Sequence, residues 1–335
     1  MELYLDSADA QEIDAAFRLG FLNGLTTTPT FMHREGVADV DALIVSLAKK
    51  VPILQIEALG QTAEDIVSEA RRQEALGLNR STTVYKIPVS MEGVRACKML
   101  TQEGFMVNIH LVYTLQQAYM AMAAGATYIC PLVGRLQDQG TDALALVSDC
   151  VEAVENYGYS SKIMFSSVRT VEHVRNALQT GAHAITVPWK ILQQLTQNHF
   201  TDVGTRQFEE HTRLVTVRVS EAMITPCPTA TTSMTVAQAL VQMTTGGLGA
   251  VCIVDAQNRP VGMFTDGDLR RTLELNGPDA VHLSLESFAT KFPHTIHATA
   301  LLRDASQLFT QHRVDQLVVV EEGIILGMLD VQAIA

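Results

Sequence analysis

Short apolar segments alternate with amphipathic segments between residues 2 and 197. The apolar segments are rich in β-branched and aromatic residues, as buried strands are, and the segments between them have the spacing of amphipathic helices. The pattern predicts eight strands, at residues 3–5, 22–26, 53–58, 83–87, 106–110, 128–131, 162–165 and 184–187. Eight βα units in about 200 residues favour a closed (β/α)8 TIM barrel, although periodicity alone also allows a doubly wound open sheet.

A different pattern begins near Val219, where the chain repeats itself. Residues 236–255 recur as residues 302–321, and residues 260–265 recur as residues 325–330. Each copy is predicted to run helix, strand, turn, strand, helix, which gives a smaller α+β domain. We therefore expect two domains: residues 1–217 form the barrel and its C-terminal helix, and residues 218–335 form the repeat domain. The C-terminal helix is expected to begin at Thr201, and residues 217–220 are expected to form the linker.

Polar side chains stand at the C-terminal end of nearly every predicted barrel strand. Barrel enzymes build their chemistry at that rim from the ends of different strands, so these residues form the candidate site: Asp6, Thr27, Thr28, Glu57, Lys86, His110, Arg135, Ser167 and Arg169. Any one of them alone would pass as an ordinary loop residue. Their convergence on one mouth favours catalysis, and the corner of Arg135, Ser167 and Arg169 lies where barrels commonly bind phosphate.

Lys86 is the most unusual of these residues because it interrupts an otherwise apolar strand. A lysine that is removed from water gives up its proton more readily, and the neutral amine attacks ketones and aldehydes. The alternative is a lysine that extends from the strand end into solvent. The carboxylates of Asp6 and Glu57 at neighbouring strand ends, which can transfer protons, favour the nucleophile.

Composition excludes several classes of protein. The 335-residue chain has a formal net charge of -12 and no basic cluster, which argues against nucleic-acid binding. No apolar run approaches the roughly 20 residues that span a bilayer and no secretory signal is apparent, so we expect a cytoplasmic protein that does not contact the membrane. The five cysteines lack metal-ligand or C-x-x-C spacing, and we expect no metal site and small buried thiols: Cys97, Cys130, Cys150, Cys227 and Cys252.

Several motifs of the barrel region resemble the small transaldolase and fructose-6-phosphate aldolase family. They lie at residues 3–8, 24–29, 84–93, 126–135, 166–169 and 195–204. The resemblance covers residues 1–217 and implies a (β/α)8 barrel, a sugar-phosphate substrate, and aldol chemistry through a Schiff base on Lys86 with no cofactor. It further implies that Asp6 and Glu57 are the acid/base carboxylates, that Arg135, Ser167 and Arg169 hold phosphate, and that the chain forms a pentamer or decamer.

Three positions depart from the family pattern. Thr28 replaces an asparagine that helps hold the donor's hydroxyl groups, His110 replaces a threonine that helps position the catalytic water, and Leu132 replaces an aromatic residue. We interpret these as a changed donor or acceptor, with a water between Glu57 and His110, or His110 itself, relaying protons. The alternative is that His110 merely fills the site and slows it. Glu57, where glutamine also occurs in the family, favours transaldolase over aldolase.

The repeat domain resembles a tandem pair of CBS motifs, most clearly at residues 262–271. Such pairs typically bind an adenosyl or other nucleotide, which implies that Thr265 and Asp268 grip a ribose. Asp330 and Ala333 stand at the matching places of the second copy, so we expect at most one competent pocket. Two alternatives stay open: a module kept only for dimerisation, or a barrel that has become a sensor or scaffold for the CBS pair. The pair also resembles those attached to sugar-phosphate isomerases of the arabinose-5-phosphate type.

Overall fold

The chain folds into two compact units, Met1–Gln197 and Asn198–Ala335. The structure is a computed structural model, and it describes residues 1–288 and 292–334. Within these ranges no helix is both long enough and apolar enough to cross a membrane.

The first unit is a closed barrel of eight parallel strands in sequence order, which confirms the predicted fold class. Closure follows from the pairing of the first strand with both the second and the eighth, through Asp6 opposite Thr26 and Leu5 opposite Val187. The open-sheet alternative is therefore wrong. The strands are β1 Glu2–Asp6, β2 Gly24–Thr26, β3 Leu54–Glu57, β4 Thr83–Pro88, β5 Met106–Val112, β6 Tyr128–Pro131, β7 Lys162–Phe165 and β8 Ala184–Val187.

Helices connect the barrel strands and pack their apolar faces on the outside of the barrel. Hydroxyl caps set many of their N-termini: the side chains of Ser90, Thr114 and Thr170 each accept a backbone hydrogen bond from the first turn. The helices are α1 Ala10–Phe17, α2 Pro29–Arg34, α3 Val40–Ala48, α4 Ala63–Ala75, α5 Met91–Gln102, α6 Leu115–Ala124, α7 Val133–Asp138, α8 Ala143–Tyr157, α9 Val171–Gln179 and α10 Trp189–Leu192.

Aromatic side chains fill the barrel interior near the N-terminal ends of the strands. Tyr4 and Tyr128 are almost fully buried, their hydroxyl oxygens lie 2.9 Å apart, and Tyr128 donates to Glu2 Oε2 at 2.8 Å. Val84 and Met164 pack against them. Because this end of the barrel is occupied, a cavity inside it has to lie toward the opposite, C-terminal ends of the strands.

The second unit contains two three-stranded sheets of the same topology, as the internal repeat predicts. In each sheet the central strand pairs in parallel with a short strand before it and antiparallel with the strand after it. The strands are β9 Thr229–Thr231, β10 Ala250–Val254, β11 Pro260–Thr265, β12 Thr295–His297, β13 Gln316–Glu321 and β14 Ile324–Asp330. The helices are α11 His199–Thr216, α12 Val219–Ala222, α13 Val236–Gly246, α14 Asp266–Asn276 and α15 Leu302–His312, with 3-10 helices at Gly277–His282, Leu285–Phe288 and Val331–Ile334.

Several details of this unit differ from the sequence expectation. The segment predicted as a linker is ordered: Val219 is fully buried with Leu302 and Leu329 and begins α12, because its apolar side chain completes that core. The helix expected to open at Thr201 begins at His199, capped by Asn198, and groups with the second compact unit. The boundary at residue 217 stays a prediction. The strands β9 and β12 were not predicted, since three-residue strands carry almost no periodicity, and the second copy ends in a 3-10 helix.

Candidate active site

Strand register brings three of the predicted residues together at the C-terminal end of the barrel. Glu57 on β3 is paired with Lys86 on β4, and His110 on β5 is paired with Pro88, two residues beyond Lys86 on the same strand. Side chains two apart on a strand point to the same face, so all three face the barrel interior. They line a cavity of about 590 Å³ together with Asp6, Thr28, Arg135, Ser167 and Arg169.

Lys86 ends inside the barrel and not in bulk solvent. Its side chain is only 6% exposed, and its Nζ lies 2.9 Å from Glu57 Oε1 and donates to the Thr27 carbonyl oxygen at 3.1 Å. The alternative of a lysine extending into water is therefore wrong. A buried amine held by one carboxylate and one carbonyl is aligned and shielded from competing water, as a carbonyl-directed nucleophile requires.

His110 contacts the other oxygen of the same carboxylate. Its Nε2 lies 2.9 Å from Glu57 Oε2, which leaves no room for a water molecule between these two atoms. Neither atom has another polar partner in the described part of the chain. Burial lowers the pKa of His110 and the charges of Lys86 and Arg135 lower it further, while the attraction of Glu57 opposes them without prevailing. The imidazole is accordingly neutral near pH 7.

The two carboxylates have pKa values displaced in opposite directions. Burial raises the pKa of Asp6, and the opposing effects of Lys86, Thr26 and Arg34 do not overcome it. Burial acts in the same direction on Glu57, but the charge of Lys86 and the hydrogen bond from His110 outweigh it and lower the pKa. Lys86 thus pairs directly with Glu57, whereas no cation of residues 1–288 and 292–334 forms an ion pair with Asp6. Such separation of two neighbouring acids is typical of sites that perform acid–base chemistry.

A polar layer lies beneath these charged groups. Thr26 donates to Asp6 Oδ1 at 2.8 Å and contacts the hydroxyl of Thr186. Asn108 donates from Nδ2 to Gln55 Oε1 at 2.7 Å, and both residues are fully buried. Asn108 Oδ1 and Gln55 Nε2 have no partner in the described structure. Exchanging oxygen and nitrogen in both amides still leaves one acceptor and one donor unpaired, so the result does not depend on the amide orientations.

The cationic corner is built where β6 and β7 end. Arg169 forms an ion pair with Asp138, and Arg135 donates to the Tyr113 hydroxyl at 3.4 Å. Ser167 has φ of 60°, a left-handed conformation that is uncommon outside glycine. Gly134 allows the Ser167 backbone to pack closely against α7, because a Cβ there would lie 2.2 Å from the Ser167 carbonyl oxygen.

Thr27 and Thr28 are placed differently from one another. Thr27 does not line the cavity; its carbonyl receives Lys86, and its own hydroxyl is buried without a partner among the described residues. Thr28 does line the cavity, and its hydroxyl also accepts a hydrogen bond of 3.4 Å from Phe31 N as the N-cap of α2.

Sequence reasoning missed several polar groups that line the cavity. Asn108 is two residues before His110 and therefore on the same face of β5, a signal that was present in the sequence. Cys130 on β6 is also in the wall, where burial raises its pKa to about 11 and keeps it a thiol. Thr26 and Thr186 follow from the same alternation on β2 and β8. Nowhere in residues 1–288 and 292–334 do three or more His, Cys, Asp or Glu residues group as metal ligands.

The second unit contains a pocket of about 650 Å³ between its two repeats. Thr265 and Asp268 line it, and each is hydrogen-bonded to the other: Thr265 Oγ1 donates to Asp268 Oδ2 at 2.8 Å. Arg271 donates to the remaining oxygen of Asp268 at 2.8 Å. At the matching place of the second copy Asp330 accepts from Gln316 at 3.0 Å and does not line this pocket.

A closed (β/α)8 barrel with a buried lysine paired to a carboxylate at the C-terminal ends of its strands has the architecture of a barrel enzyme. The profile of the family described as Transaldolase/Fructose-6-phosphate aldolase matches residues 3–227, and the CBS domain profile matches residues 219–275 and 285–335. The chain therefore belongs to the transaldolase/fructose-6-phosphate aldolase family and carries two CBS domains after the barrel.

Individual proteins resemble the two parts separately. A protein named "Probable transaldolase" from Streptococcus equi subsp. zooepidemicus is 38% identical over 212 residues, 63% of this chain and 97% of that protein. Another of the same name from Coprothermobacter proteolyticus is 39% identical over 208 residues, 62% of this chain and 94% of that protein. A CBS domain protein from Pyrobaculum aerophilum, solved in complex with AMP, is 18% identical over 35% of this chain and 89% of its own, with a TM-score of 0.32. A CBS-domain containing protein from Agrobacterium tumefaciens is 19% identical over 35% of this chain and 90% of its own, also with a TM-score of 0.32.

Proposed function

We propose that the chain is a class I aldolase or transaldolase that acts on a sugar phosphate through a Schiff base on Lys86. The observation that carries this proposal is the Lys86 side chain, 6% exposed, with Glu57 at 2.9 Å in a cavity also lined by Asp6. The family membership supports the same chemistry, since the lysine and both carboxylates lie in the matched region.

The first half of the reaction forms the imine. The Lys86 ammonium gives its proton to the Glu57–His110 pair, and the neutral amine attacks the ketone carbon of the sugar phosphate. The carbinolamine oxygen then takes a proton and leaves as water, which produces the protonated imine. Because His110 contacts Glu57 directly, the pair itself relays these protons, and no water between the two atoms is required.

The second half breaks the carbon–carbon bond. Asp6 accepts the proton of the hydroxyl on one of the two carbons whose bond breaks, and that carbon becomes the aldehyde carbon of the first product. The electrons of the broken bond pass into an enamine on Lys86. A carboxylate whose pKa is raised is suited to this exchange because it holds the proton more readily than an ordinary aspartate. The enamine then adds to a second aldehyde phosphate in a transaldolase cycle or takes up a proton in an aldolase cycle. In both cases water hydrolyses the resulting imine, which releases the ketone product and the Lys86 amine.

Substrate recognition divides between two parts of the cavity. Arg135, Ser167 and Arg169 supply cationic and hydroxyl donors for the phosphate, which the close packing of Gly134 holds together. Asn108, which lines the cavity and has one amide group without a partner among the described residues, supplies a partner for a donor hydroxyl, and Gln55 fixes its orientation. This arrangement compensates for Thr28, whose hydroxyl caps α2.

Turnover assays test the proposal. Fructose 6-phosphate and a panel of ketose phosphates are incubated with the enzyme, and release of free dihydroxyacetone is measured with and without an acceptor aldehyde. We expect turnover that Lys86→Met abolishes and that Lys98→Met, at an exposed helix lysine, leaves unchanged. Release that needs no acceptor identifies an aldolase, and transfer without release identifies a transaldolase. The absence of any difference between Lys86→Met and the wild-type chain refutes the proposal.

We further propose that the CBS pair binds a nucleotide at the Thr265–Asp268 pocket and adjusts the rate of the barrel. The pocket has the volume for a nucleotide and a hydroxyl–carboxylate pair suited to a ribose. We expect Asp268→Asn to weaken a nucleotide effect on rate, with Asp279→Asn, at an exposed aspartate, as the matched control. A nucleotide effect that is identical in both variants refutes this assignment.

A further inference from the structure

The short loop between β7 and α9 carries two of the three residues of the cationic corner. It consists of residues 166–169, since β7 ends at Phe165 and α9 is capped by Thr170. Within the loop Ser167 adopts its left-handed conformation and Val168 is buried. The directions of the Ser167 hydroxyl and the Arg169 side chain therefore depend on how the two ends of this loop are held.

The first end of the loop is fixed to the neighbouring strand β6. Ser166 Oγ donates to the Pro131 carbonyl oxygen at 2.8 Å, and the Ser166 carbonyl oxygen accepts from Val133 N at 3.1 Å. Ser166 is buried, so both hydrogen bonds are shielded from water. The barrel itself thus holds the loop where it leaves β7.

The second end of the loop is held by a histidine of α9. The Arg169 backbone N–H donates to His173 Nδ1 at 3.3 Å, and the His173 backbone N–H donates to Thr170 Oγ1 at 3.3 Å. In a capping box the side chain at the third helical position accepts the backbone N–H of the N-cap residue itself. His173 occupies that position but reaches one residue further back, so it ties α9 to Arg169 and not to the cap.

Burial keeps His173 in the form that can accept this hydrogen bond. The side chain belongs to a residue that is only 8% exposed, and its ring packs edge-on against Phe165 with 6.2 Å between centroids. A lone pair at Nδ1 requires the neutral imidazole with its proton on Nε2. Burial lowers the pKa of His173 and the charge of Arg169 lowers it further, while Glu172 opposes them without prevailing. The ring is therefore a neutral acceptor near pH 7.

The side chain of Arg169 is held less firmly than its backbone. Its guanidinium pairs with Asp138, but both side chains of this ion pair are about half exposed, and exposed pairs contribute little to stability. The guanidinium can therefore exchange Asp138 for a phosphate oxygen at small cost, provided that its backbone stays in place. The hydrogen bond to the buried His173 is the contact that fixes this backbone.

We propose that His173 is a positioning residue for phosphate recognition: its Nδ1 fixes the Arg169 backbone and thereby aims the Arg169 guanidinium and the Ser167 hydroxyl at the phosphate of the substrate. The inference rests on the proposed function, because it takes Ser167 and Arg169 as phosphate ligands. It goes beyond that function by assigning phosphate selectivity to a residue that does not itself line the cavity. A residue that acts in this way should affect KM for phosphorylated substrates and leave kcat unchanged.

The variants His173→Leu and His173→Asn test the inference as a matched pair in the full chain. Leucine and asparagine have nearly the same branched shape and both remove the ring, but only asparagine has an oxygen near the position of Nδ1. We expect His173→Leu to raise KM for fructose 6-phosphate about tenfold, as loss of one buried hydrogen bond allows, and His173→Asn to restore most of the loss. In both variants kcat should change little, as should KM for dihydroxyacetone with glyceraldehyde as the acceptor. Thermal unfolding verifies that both variants are folded at the assay temperature.

The outcomes separate this inference from the function on which it rests. If KM for fructose 6-phosphate is the same in the two variants, or if His173→Leu raises KM equally for fructose 6-phosphate and dihydroxyacetone, the positioning role is overturned and the proposed function stands. If the wild-type chain turns over no ketose phosphate, the proposed function fails, and calorimetric titration with inorganic phosphate decides the positioning role. The phosphate binding that Arg169→Met removes should then be lost in His173→Leu and kept in His173→Asn. Equal phosphate binding in these two variants, or no binding that Arg169→Met removes, overturns the inference.

Discussion

Replacing Asp6 by asparagine should stabilise the barrel while removing its activity. The site buries one ammonium, on Lys86, with two carboxylates, and Glu57 holds that ammonium at 2.9 Å. Burial raises the pKa of the Asp6 carboxyl, so folding disfavours the charged form of this side chain. An asparagine amide at this position would keep an acceptor for the Thr26 hydroxyl, now 2.8 Å from Asp6 Oδ1, and would carry no charge.

The expected gain in the free energy of unfolding can be taken from substitutions that stabilise other proteins. We expect Asp6→Asn to add about 1 kcal/mol to the free energy of unfolding, the middle of the range for stabilising substitutions. For a cooperative unit of about 200 residues this raises Tm by about 2–4 °C. Because the folded-state pKa of Asp6 lies above its unfolded value, the wild-type chain recovers this stability as pH falls through that folded pKa. The advantage of the variant should therefore shrink in acid.

Thermal unfolding at pH 7.5 and at mildly acidic pH measures the change in stability. In a separate activity assay, kcat of Asp6→Asn should fall by about 10²–10⁴-fold, because Asp6 transfers the proton of the cleavage step. Schiff-base formation on Lys86 should survive in this variant, since Asp6 acts after the imine has formed. A variant that is less stable than the wild-type chain at pH 7.5, or whose advantage is the same at every pH, would refute the reasoning.

Three further substitutions probe separate parts of the site. Glu57→Gln should lower the free energy of unfolding at neutral pH by about 3 kcal/mol, because it removes the carboxylate that pairs with the buried Lys86 side chain. Since folding lowers the pKa of Glu57, the difference from the wild-type chain should narrow as pH falls through that folded-state pKa. Chemical denaturation at several pH values will measure it. Gly134→Ala places a Cβ 2.2 Å from the Ser167 carbonyl, so KM for phosphorylated substrates should rise by at least tenfold while KM for unphosphorylated dihydroxyacetone changes little; equal changes for both would contradict the phosphate assignment. Asn108→Leu should raise KM for dihydroxyacetone about tenfold or more relative to hydroxyacetone, which lacks one hydroxyl, and an unchanged ratio would remove Asn108 from donor recognition.

The barrel was predictable because its strands are nearly continuous apolar runs, and the strands at residues 128–131, 162–165 and 184–187 have the bounds expected from the sequence. Lys86 stood out for the same reason, as a lysine near the C-terminal end of such a run. What the sequence could not supply is register. That Glu57 pairs with Lys86 and contacts His110 directly depends on how β3, β4 and β5 align, and strand periodicity is the same in every alignment of even offset.

Contacts made by backbone and small residues were equally hidden. Gly134 resembles any helix glycine in the sequence, and its role appears only when the Ser167 carbonyl approaches it. The irregularity in the pairing of β5 with β6, where Leu111 has φ of 58°, turns Leu111 into the cavity beside His110 against the strand alternation. The stack of His294 on His312 joins the residue before β12 to the last residue of α15 in the same repeat, which no local pattern connects.

The most direct test of the account is to look for the covalent bond itself. Full-length chain is incubated with fructose 6-phosphate or dihydroxyacetone and reduced with sodium borohydride, and the peptide that contains residues 83–91 is examined by mass spectrometry. The account predicts a stable adduct of the donor on Lys86, present in Asp6→Asn and absent in Lys86→Met. Donor-dependent turnover without any adduct on Lys86, or an adduct on another lysine, would contradict it.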